Sequence, residues 1–259
     1  MNPGRLTHGR RKEIASLRQK KFRDQAGTCV VEGRRSVEAA VAAGARVLEI
    51  VATERMLDDP DTRKWLSSSA SISIASPKEF EGMSDVVTSQ GVLAVVETAW
   101  VSVDALKGAS RILVLDGVQD PGNVGTIIRS AAWFGVDAVV FGPGVADCYG
   151  PKVLRSSMGG VWDVKTCRTN TIAANIKTLI SIGVDVHAAD LEGLPLSEWS
   201  PSDPSCLVVG SEARGLSEEV GAVAGSRVRI PGGRTSGATE SLNVGVAAGI
   251  LMFHWTQRG

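Results

Sequence analysis

The polar side chains best placed for chemistry stand at the starts of two predicted helices. Asp120 can cap the first helix, which puts Asn123 in its first turn and Arg129 six residues further on, about 120° around the axis. Ser241 and Asn243 open the second helix directly after a glycine-rich loop. Amide, hydroxyl and guanidinium groups of this kind bind and orient a ligand. The sequence therefore predicts a binding site at two helix starts, although a strand, a loop and a core helix explain the second stretch equally well.

The elements that must position these residues alternate between strand and helix, which is typical of the α/β class. Buried parallel strands are predicted in the carboxy-terminal half at 111–115, 136–141, 184–190, 205–210 and 228–230, with helices after residue 120 and at 172–182. A smaller α/β unit is predicted before them, with strands at 29–32, 47–52, 72–76 and 91–97 and helices at 14–25, 36–43 and 77–82. Residues 98–110 are predicted to be a linker.

Charge is unevenly distributed along this chain of 259 residues, whose net charge is zero. Residues 1–35 hold ten Lys or Arg against three Asp or Glu. A basic arm on an otherwise acidic body indicates a polyanion partner, because neutralised phosphates supply most of the sequence-independent affinity for nucleic acid. A solvated, disordered terminus or the end of an organelle-targeting peptide explains the same residues.

Several classes of protein find little support in the sequence. The four cysteines lack C-x-x-C spacing and the three histidines are scattered, so we expect no metal site, disulfide framework or histidine-based triad. The stretch before Asn123 lacks G-x-G-x-x-G and no acid ends the next strand, which disfavours dinucleotide-binding enzymes and the usual Rossmann methyltransferases. No apolar run approaches the roughly 18 residues of a membrane span, and a secretory signal is not evident. We therefore expect no membrane partner and a cytoplasmic location, with an organelle matrix as the alternative.

Three stretches carry a family resemblance. They are LDGVQDPGNVGTIIRSAAWFGVDAVVF at 115–141, VVGSEARGLS at 208–217, and IP followed by ESLNV at 230–244. In this order they resemble the motifs of the SpoU (TrmH-like) family of RNA ribose 2′-O-methyltransferases, members of the SPOUT class. VEG at 31–33 and QGVLAVV at 90–96 resemble the substrate-binding domain often found before such catalytic domains, with a generic α/β module as the alternative.

The resemblance implies a two-domain fold. Residues 1–98 would form the basic arm and an RNA substrate-binding domain similar in shape to a ribosomal protein. Residues 107–259 would form the catalytic SPOUT domain, a parallel sheet with a trefoil knot. The family completes its site across two subunits, so the resemblance also implies a homodimer.

The resemblance further implies roles for single residues. S-adenosylmethionine would lie against the backbone of Val209, Gly210, Ile230 and Leu242, where the glycine would permit a close approach. The polar catalytic and loop-orienting residues would be Asn123, Glu212, Ser241 and Asn243, while Arg129 is the residue proposed to activate the hydroxyl. Since a guanidinium is a poor base, we assign Arg129 to clamping phosphate and stabilising the alkoxide instead. The alternative for Arg129 is a surface ion pair.

The predicted function is S-adenosylmethionine-dependent methylation of a ribose 2′-hydroxyl, which requires no metal. Ribosomal RNA is favoured over transfer RNA as the substrate because of the additional N-terminal domain. Two alternatives stay open: a transfer-RNA 2′-O-methyltransferase, and a catalytically silent RNA-binding or ribosome-assembly factor with the same fold.

Overall fold

A computed structural model describes residues 4–60, 62, 71–233 and 241–257, and the chain divides into two units. Unit 1 comprises Met1–Thr98 and Asp147–Trp162, and unit 2 comprises Ala99–Ala146 and Asp163–Gly259. The strands are β1 (Gly4–Arg5), β2 (Thr28–Glu32), β3 (Val47–Ala52), β4 (Ser71–Ile74), β5 (Val92–Glu97), β6 (Trp100–Val101), β7 (Arg111–Asp116), β8 (Ala138–Phe141), β9 (Lys165–Arg168), β10 (Asp185–Pro195), β11 (Ser205–Gly210) and β12 (Ser226–Arg229). The helices are α1 (His8–Ser16), α2 (Lys20–Ala26), α3 (Arg34–Ala42), α4 (Glu54–Asp58), α5 (Pro77–Glu81), α6 (Pro121–Trp133), α7 (Pro151–Ser157), α8 (Ile172–Ser181), α9 (Glu218–Gly221) and α10 (Val244–Thr256). No helix within the described ranges is long and apolar enough to cross a membrane.

Unit 1 is built on a five-stranded mixed sheet in the order β1-β4-β3-β5-β2. Strand β5 runs antiparallel to β2 and β3, whereas β4 runs parallel to β3 and β1. Apolar side chains from the amino-terminal segment reach its core, because Leu6, Ile14 and Leu17 are buried together with Phe80 and Leu93. The basic stretch is therefore folded into unit 1 from residue 4 onward, so the alternative of a disordered terminus is wrong for the described residues.

The single helix predicted at 14–25 is wrong, because the chain breaks between α1 and α2. Arg23 explains the break. Its Nη1 donates to the carbonyl oxygens of Leu17 and Arg18, both at 2.7 Å, and these two residues lie where the helical pattern of α1 ends. The same guanidinium donates from Nη2 and Nε to one carboxylate oxygen of Asp147, at 2.5 and 3.1 Å. The nearly buried Arg23 thus supplies hydrogen bonds to the carbonyl groups at the break between α1 and α2.

The segment 147–162 leaves unit 2 and packs within unit 1. Its helix α7 contacts β2, and Val153 and Leu154 are buried. Tyr149 and Trp162, near the two ends of the segment, place their ring centroids 5.7 Å apart. The chain consequently passes between the two units three times, after residues 98, 146 and 162.

Unit 2 contains a seven-stranded sheet in the order β12-β10-β11-β7-β8-β9-β6, and all of its strand pairs are parallel. The α/β prediction and the parallel sheet are confirmed, while the trefoil knot stays a prediction. The predicted linker is wrong in part, because Trp100 and Val101 form the edge strand β6 and Leu106 enters the core of unit 2. Apolar side chains in this stretch gain more from burial than from exposure. Since parallel strands end at one edge, the carboxyl ends of β7, β11 and β12 meet there, with Asp116 paired directly to Gly210.

Candidate active site

Asn243 begins α10 and uses its side-chain oxygen as the helix cap. This Oδ1 accepts hydrogen bonds from the backbone N–H groups of Gly245 at 3.0 Å and Val246 at 3.3 Å. Because the oxygen is used in this way, the amide nitrogen is free to donate elsewhere. It donates to Oδ1 of Asn123 at 3.0 Å.

Asn123 lies in the first turn of α6, as the sequence predicts. Asp120 caps this helix by accepting from the backbone N–H of Asn123 at 2.9 Å. The side-chain nitrogen of Asn123 donates to Oε1 of Glu212 at 2.5 Å. One chain of hydrogen bonds therefore runs from Asn243 through Asn123 to Glu212 and joins residues from all three sequence motifs at a solvent-accessible surface.

The turn that carries Glu212 is closed by its own backbone. Ser211 and Gly215 exchange two N–H to carbonyl hydrogen bonds, both at 2.8 Å. A side chain on Gly210 would overlap the backbone of Gly215 and Leu216, which lie within 2.6 Å of a Cβ built there. Glycine is thus required at 210 by a close approach of the chain to itself, a reason that differs from the predicted approach of a cofactor.

The four residues predicted to contact a cofactor lie at the end of β11, directly after β12 and directly before the cap of α10. Val209 is 3% exposed within β11, so its side chain is buried. Gly210 ends β11, and Ile230 directly follows β12. These strands are not adjacent, since β10 lies between them. Leu242 is 48% exposed and precedes the cap of α10.

Two predicted catalytic residues remain outside the hydrogen-bond chain. Ser241 is exposed and lies two residues before the Asn243 cap, and part of the loop before it, 234–240, lies outside the described residues. Arg129 is exposed on α6. Among the described residues no acid pairs with Arg129, so the alternative of a surface ion pair gains no support, and its guanidinium is available to a ligand.

Asp116 is a residue that the sequence reasoning missed. It is only 7% exposed at the end of β7, and its Oδ2 accepts a hydrogen bond from the backbone N–H of Ser217 at 2.7 Å. The signal in the sequence was an acid, inside the first motif, that ends a strand whose residues after Arg111 are otherwise apolar. Elsewhere in the described ranges, no group of three or more His, Cys, Asp or Glu side chains could hold a metal ion.

Known proteins with similar sequences and folds span both units. Residues 110–253 match the model of the SpoU rRNA Methylase family, and residues 10–94 match that of the MRM3-like substrate binding domain. The chain is 33% identical to the 23S rRNA (guanosine(2553)-2′-O)-methyltransferase RlmP of Bacillus subtilis, over 94% of each chain. The AdoMet-bound rRNA methyltransferase of Sinorhizobium meliloti superposes with a TM-score of 0.84 at 27% identity, over 98% of this chain and 96% of that one. The SpoU methyltransferase AviRb of Streptomyces viridochromogenes has the same fold, with a TM-score of 0.86 at 23% identity over 97% and 98%.

Proposed function

Because the chain belongs to the SpoU rRNA methylase family, we propose that it transfers a methyl group from S-adenosylmethionine to a ribose 2′-hydroxyl of RNA. The observation that carries this proposal is the hydrogen-bond chain Asn243–Asn123–Glu212, which unites the three family motifs at the carboxyl edge of the parallel sheet. The resemblance in the sequence is confirmed by the match of the family model over 110–253.

Methyl transfer requires the protein mainly to position the two reacting groups. The cofactor supplies a methyl group on a sulfonium, which is already a good leaving group. The protein must hold the ribose hydroxyl in line with that methyl group and stabilise the negative charge that develops on the oxygen. Backbone at Val209, Gly210, Ile230 and Leu242 would hold the cofactor at the strand ends, and the bonded Asn123 and Glu212 would keep the surrounding turn in place.

Arg129 would meet the RNA. Its guanidinium is exposed and unpaired among the described residues, and its planar donors suit a phosphate or a developing alkoxide better than a point charge would. We keep our assignment of Arg129 as a clamp rather than a base, since a guanidinium offers five N–H donors and no acceptor.

Ribosomal RNA is the substrate that we propose. The similarity to RlmP covers both units, and the N-terminal match to a substrate binding domain supports the proposal that unit 1 holds RNA. Ribose 2′-O-methyl sites should be mapped in ribosomal and transfer RNA from cells with and without this protein. Loss of one ribosomal site supports the proposal, loss of a transfer-RNA site supports the first alternative, and unchanged maps support a silent assembly factor. We also propose a cytoplasmic location, which cell fractionation would distinguish from an organelle matrix.

We further propose that two copies associate through α6 and α10. These helices pack together, with the rings of Phe134 and Phe253 at 6.0 Å. Val246, Ile250 and Phe253 recur at helical spacing on α10 and are 51%, 37% and 55% exposed, and Trp133 on α6 is 83% exposed. Val246→Glu with Phe253→Glu should give a monomer in analytical ultracentrifugation. Ile180→Glu, on the exposed part of α8, is the control and should leave the mass unchanged.

A further inference from the structure

Asp116 has an unusual position for a carboxylate. It is 7% exposed in unit 2, and no Lys, Arg or His among the described residues forms an ion pair with it. Burying an acid is costly unless hydrogen bonds replace the lost water. The bond that Asp116 accepts comes from the backbone N–H of Ser217, 101 residues away in the chain. The hydrogen bond from Ser217 therefore offsets part of the cost of burying this carboxylate.

This bond closes one end of the turn that carries Glu212. The turn leaves the sheet at Gly210, which is paired in register with Asp116, and it returns to the Asp116 carboxylate at Ser217. Both ends of the turn are thereby attached to one residue of β7. The turn has little freedom to adjust, because the Gly210 backbone already lies against Gly215 and Leu216.

The two groups that the attachment holds are those assigned to the reaction. The backbone at Val209 and Gly210, where the turn begins, is assigned to the cofactor. At the tip of the turn, Oε1 of Glu212 accepts the hydrogen bond that the side-chain amide of Asn123 donates. If the Ser217 end were released, the turn could move away from the sheet and carry Glu212 with it. The cofactor backbone and the hydrogen-bond chain would then lose their common support.

We propose that Asp116 is a positioning residue that fixes the turn 211–217, and through it the cofactor-binding backbone and Glu212, by accepting the Ser217 N–H. This inference rests on the proposed function, because it assigns S-adenosylmethionine to the backbone at Val209 and Gly210. The carboxylate acts through the hydrogen bond that it accepts and does not touch the substrates.

The first test compares two substitutions of Asp116 in the full-length protein. Asp116→Ala removes the acceptor and should raise the Kd for S-adenosylmethionine, measured by calorimetry, at least tenfold, with a fall in kcat. Asp116→Asn keeps an oxygen acceptor of the same length and should stay within threefold of the unsubstituted protein. Asp137→Ala is the matched control: this carboxylate accepts backbone N–H bonds from Ser110 and Arg111, at 2.7 and 2.9 Å, at the opposite end of β7. It should lower the melting temperature and leave the Kd unchanged.

The second test removes the donor instead. Ser217→Pro deletes the N–H, and the φ of −64° at this position fits the proline ring. Ser217→Ala keeps the N–H and removes a hydroxyl that makes no capping bond, so it should bind like the unsubstituted protein. This pair remains informative if Asp116→Ala fails to fold.

Three results would overturn the inference. They are an unchanged Kd in Asp116→Ala, an unchanged Kd in Ser217→Pro, and an Asp116→Asn variant as weak as the alanine variant, which would assign the effect to charge. Failure of the unsubstituted protein to bind S-adenosylmethionine would instead contradict the proposed function.

Discussion

Asn243 uses the two ends of one amide for two different tasks. Its oxygen caps α10, and its nitrogen reaches Asn123 in the first motif. The cap is a local contribution to stability, and the donated bond belongs to the candidate active site. Aspartate separates these tasks, because it caps a helix as well as asparagine does but has no side-chain N–H.

Asn243→Asp should therefore keep the fold and lose the reaction. We expect a melting temperature close to that of the unsubstituted protein, and methyl transfer reduced at least about tenfold, the equivalent of one lost hydrogen bond. Asn243→Ala, the comparison variant, should lose both, with a stability cost of about 1 kcal/mol for the missing cap. Thermal unfolding and single-turnover assays would measure the two effects, and an Asp variant with full activity would remove Asn243 from the site.

Arg129 should affect transfer without affecting cofactor binding. Arg129→Ala is expected to abolish methyl transfer and leave the Kd for S-adenosylmethionine nearly unchanged, because we assign its guanidinium to RNA. Arg129→Lys should also be weak, since an ammonium cannot reproduce a planar fork of donors. Calorimetry and activity assays on the same preparations separate binding from transfer. Full activity in the lysine variant would exclude the clamp, and full activity in the alanine variant would exclude Arg129 altogether.

Sequence reasoning identified which polar residues belong together, and the structure brings Asn123, Glu212 and Asn243 into one hydrogen-bond chain. Their catalytic roles stay predictions. Sequence reasoning could not identify the role of Asp116, which depends on a contact between residues far apart in the chain. It also could not give the reason for glycine at position 210, which depends on backbone packed against backbone. An acid at the end of an apolar strand marks Asp116 by its residue type, but the contact that each residue makes cannot be read from residue type or spacing.

At the scale of helices and strands, the amino-terminal helices change how the positive charge of the basic arm is interpreted. Much of its positive charge is already used inside unit 1: Arg10 pairs with Glu49, Arg11 with Glu79 and Arg23 with Asp147. Deleting residues 1–24 would remove buried core residues as well as charge, so it would not test RNA binding cleanly. The lysines of this arm, Lys12, Lys20 and Lys21, are exposed and make no ion pair within the described residues.

Neutralising these three lysines should weaken RNA binding without unfolding unit 1. The triple substitution to Gln is expected to lower affinity across RNA sequences and to reduce the salt slope by about 0.7 for each phosphate that the protein no longer neutralises. Filter binding at several salt concentrations measures this. Substituting Lys107, Lys165 and Lys177 of unit 2 by Gln removes the same charge and provides the control. Equal slopes in the two triple variants would exclude a specific RNA-binding role for the arm.

The order of strands and helices was predictable at this scale because apolar runs and glycine stops mark them locally, as for β3, β7 and β11. Two of the failures were the broken helix at Leu17 and the strand at Trp100. Each depends on a distant partner, Arg23 with Asp147 in the first case and strand β9 in the second. Local sequence contains no record of such partners.

At the scale of the whole molecule, disrupting the Arg23–Asp147 ion pair of unit 1 tests whether the cofactor binds to unit 2 alone. The two side chains are 6% and 13% exposed, so Asp147→Ala leaves a nearly buried cation without its acid. We expect a loss of about 3 kcal/mol in the free energy of unfolding and no change in the Kd for S-adenosylmethionine. Arg46→Ala breaks an exposed pair with Glu97 and should cost at most about 1 kcal/mol. Chemical denaturation and calorimetry would check both variants, and a weakened Kd in Asp147→Ala would contradict the assignment to unit 2.

The excursion of residues 147–162 into unit 1 has a consequence for the newly synthesised chain. A ribosome releases the protein from its amino end, and domains usually fold in that order. Here unit 1 lacks the acid partner of Arg23 until residue 147 has emerged and α7 until residue 157 has emerged, and by then residues 99–146 of unit 2 are already outside. Unit 1 of the nascent chain therefore cannot complete its fold while the first strands of unit 2 emerge. During this time Arg23 has no acid partner, and an apolar surface of β2 stays uncovered. Folding of the two units is interleaved in time, although each has its own sheet.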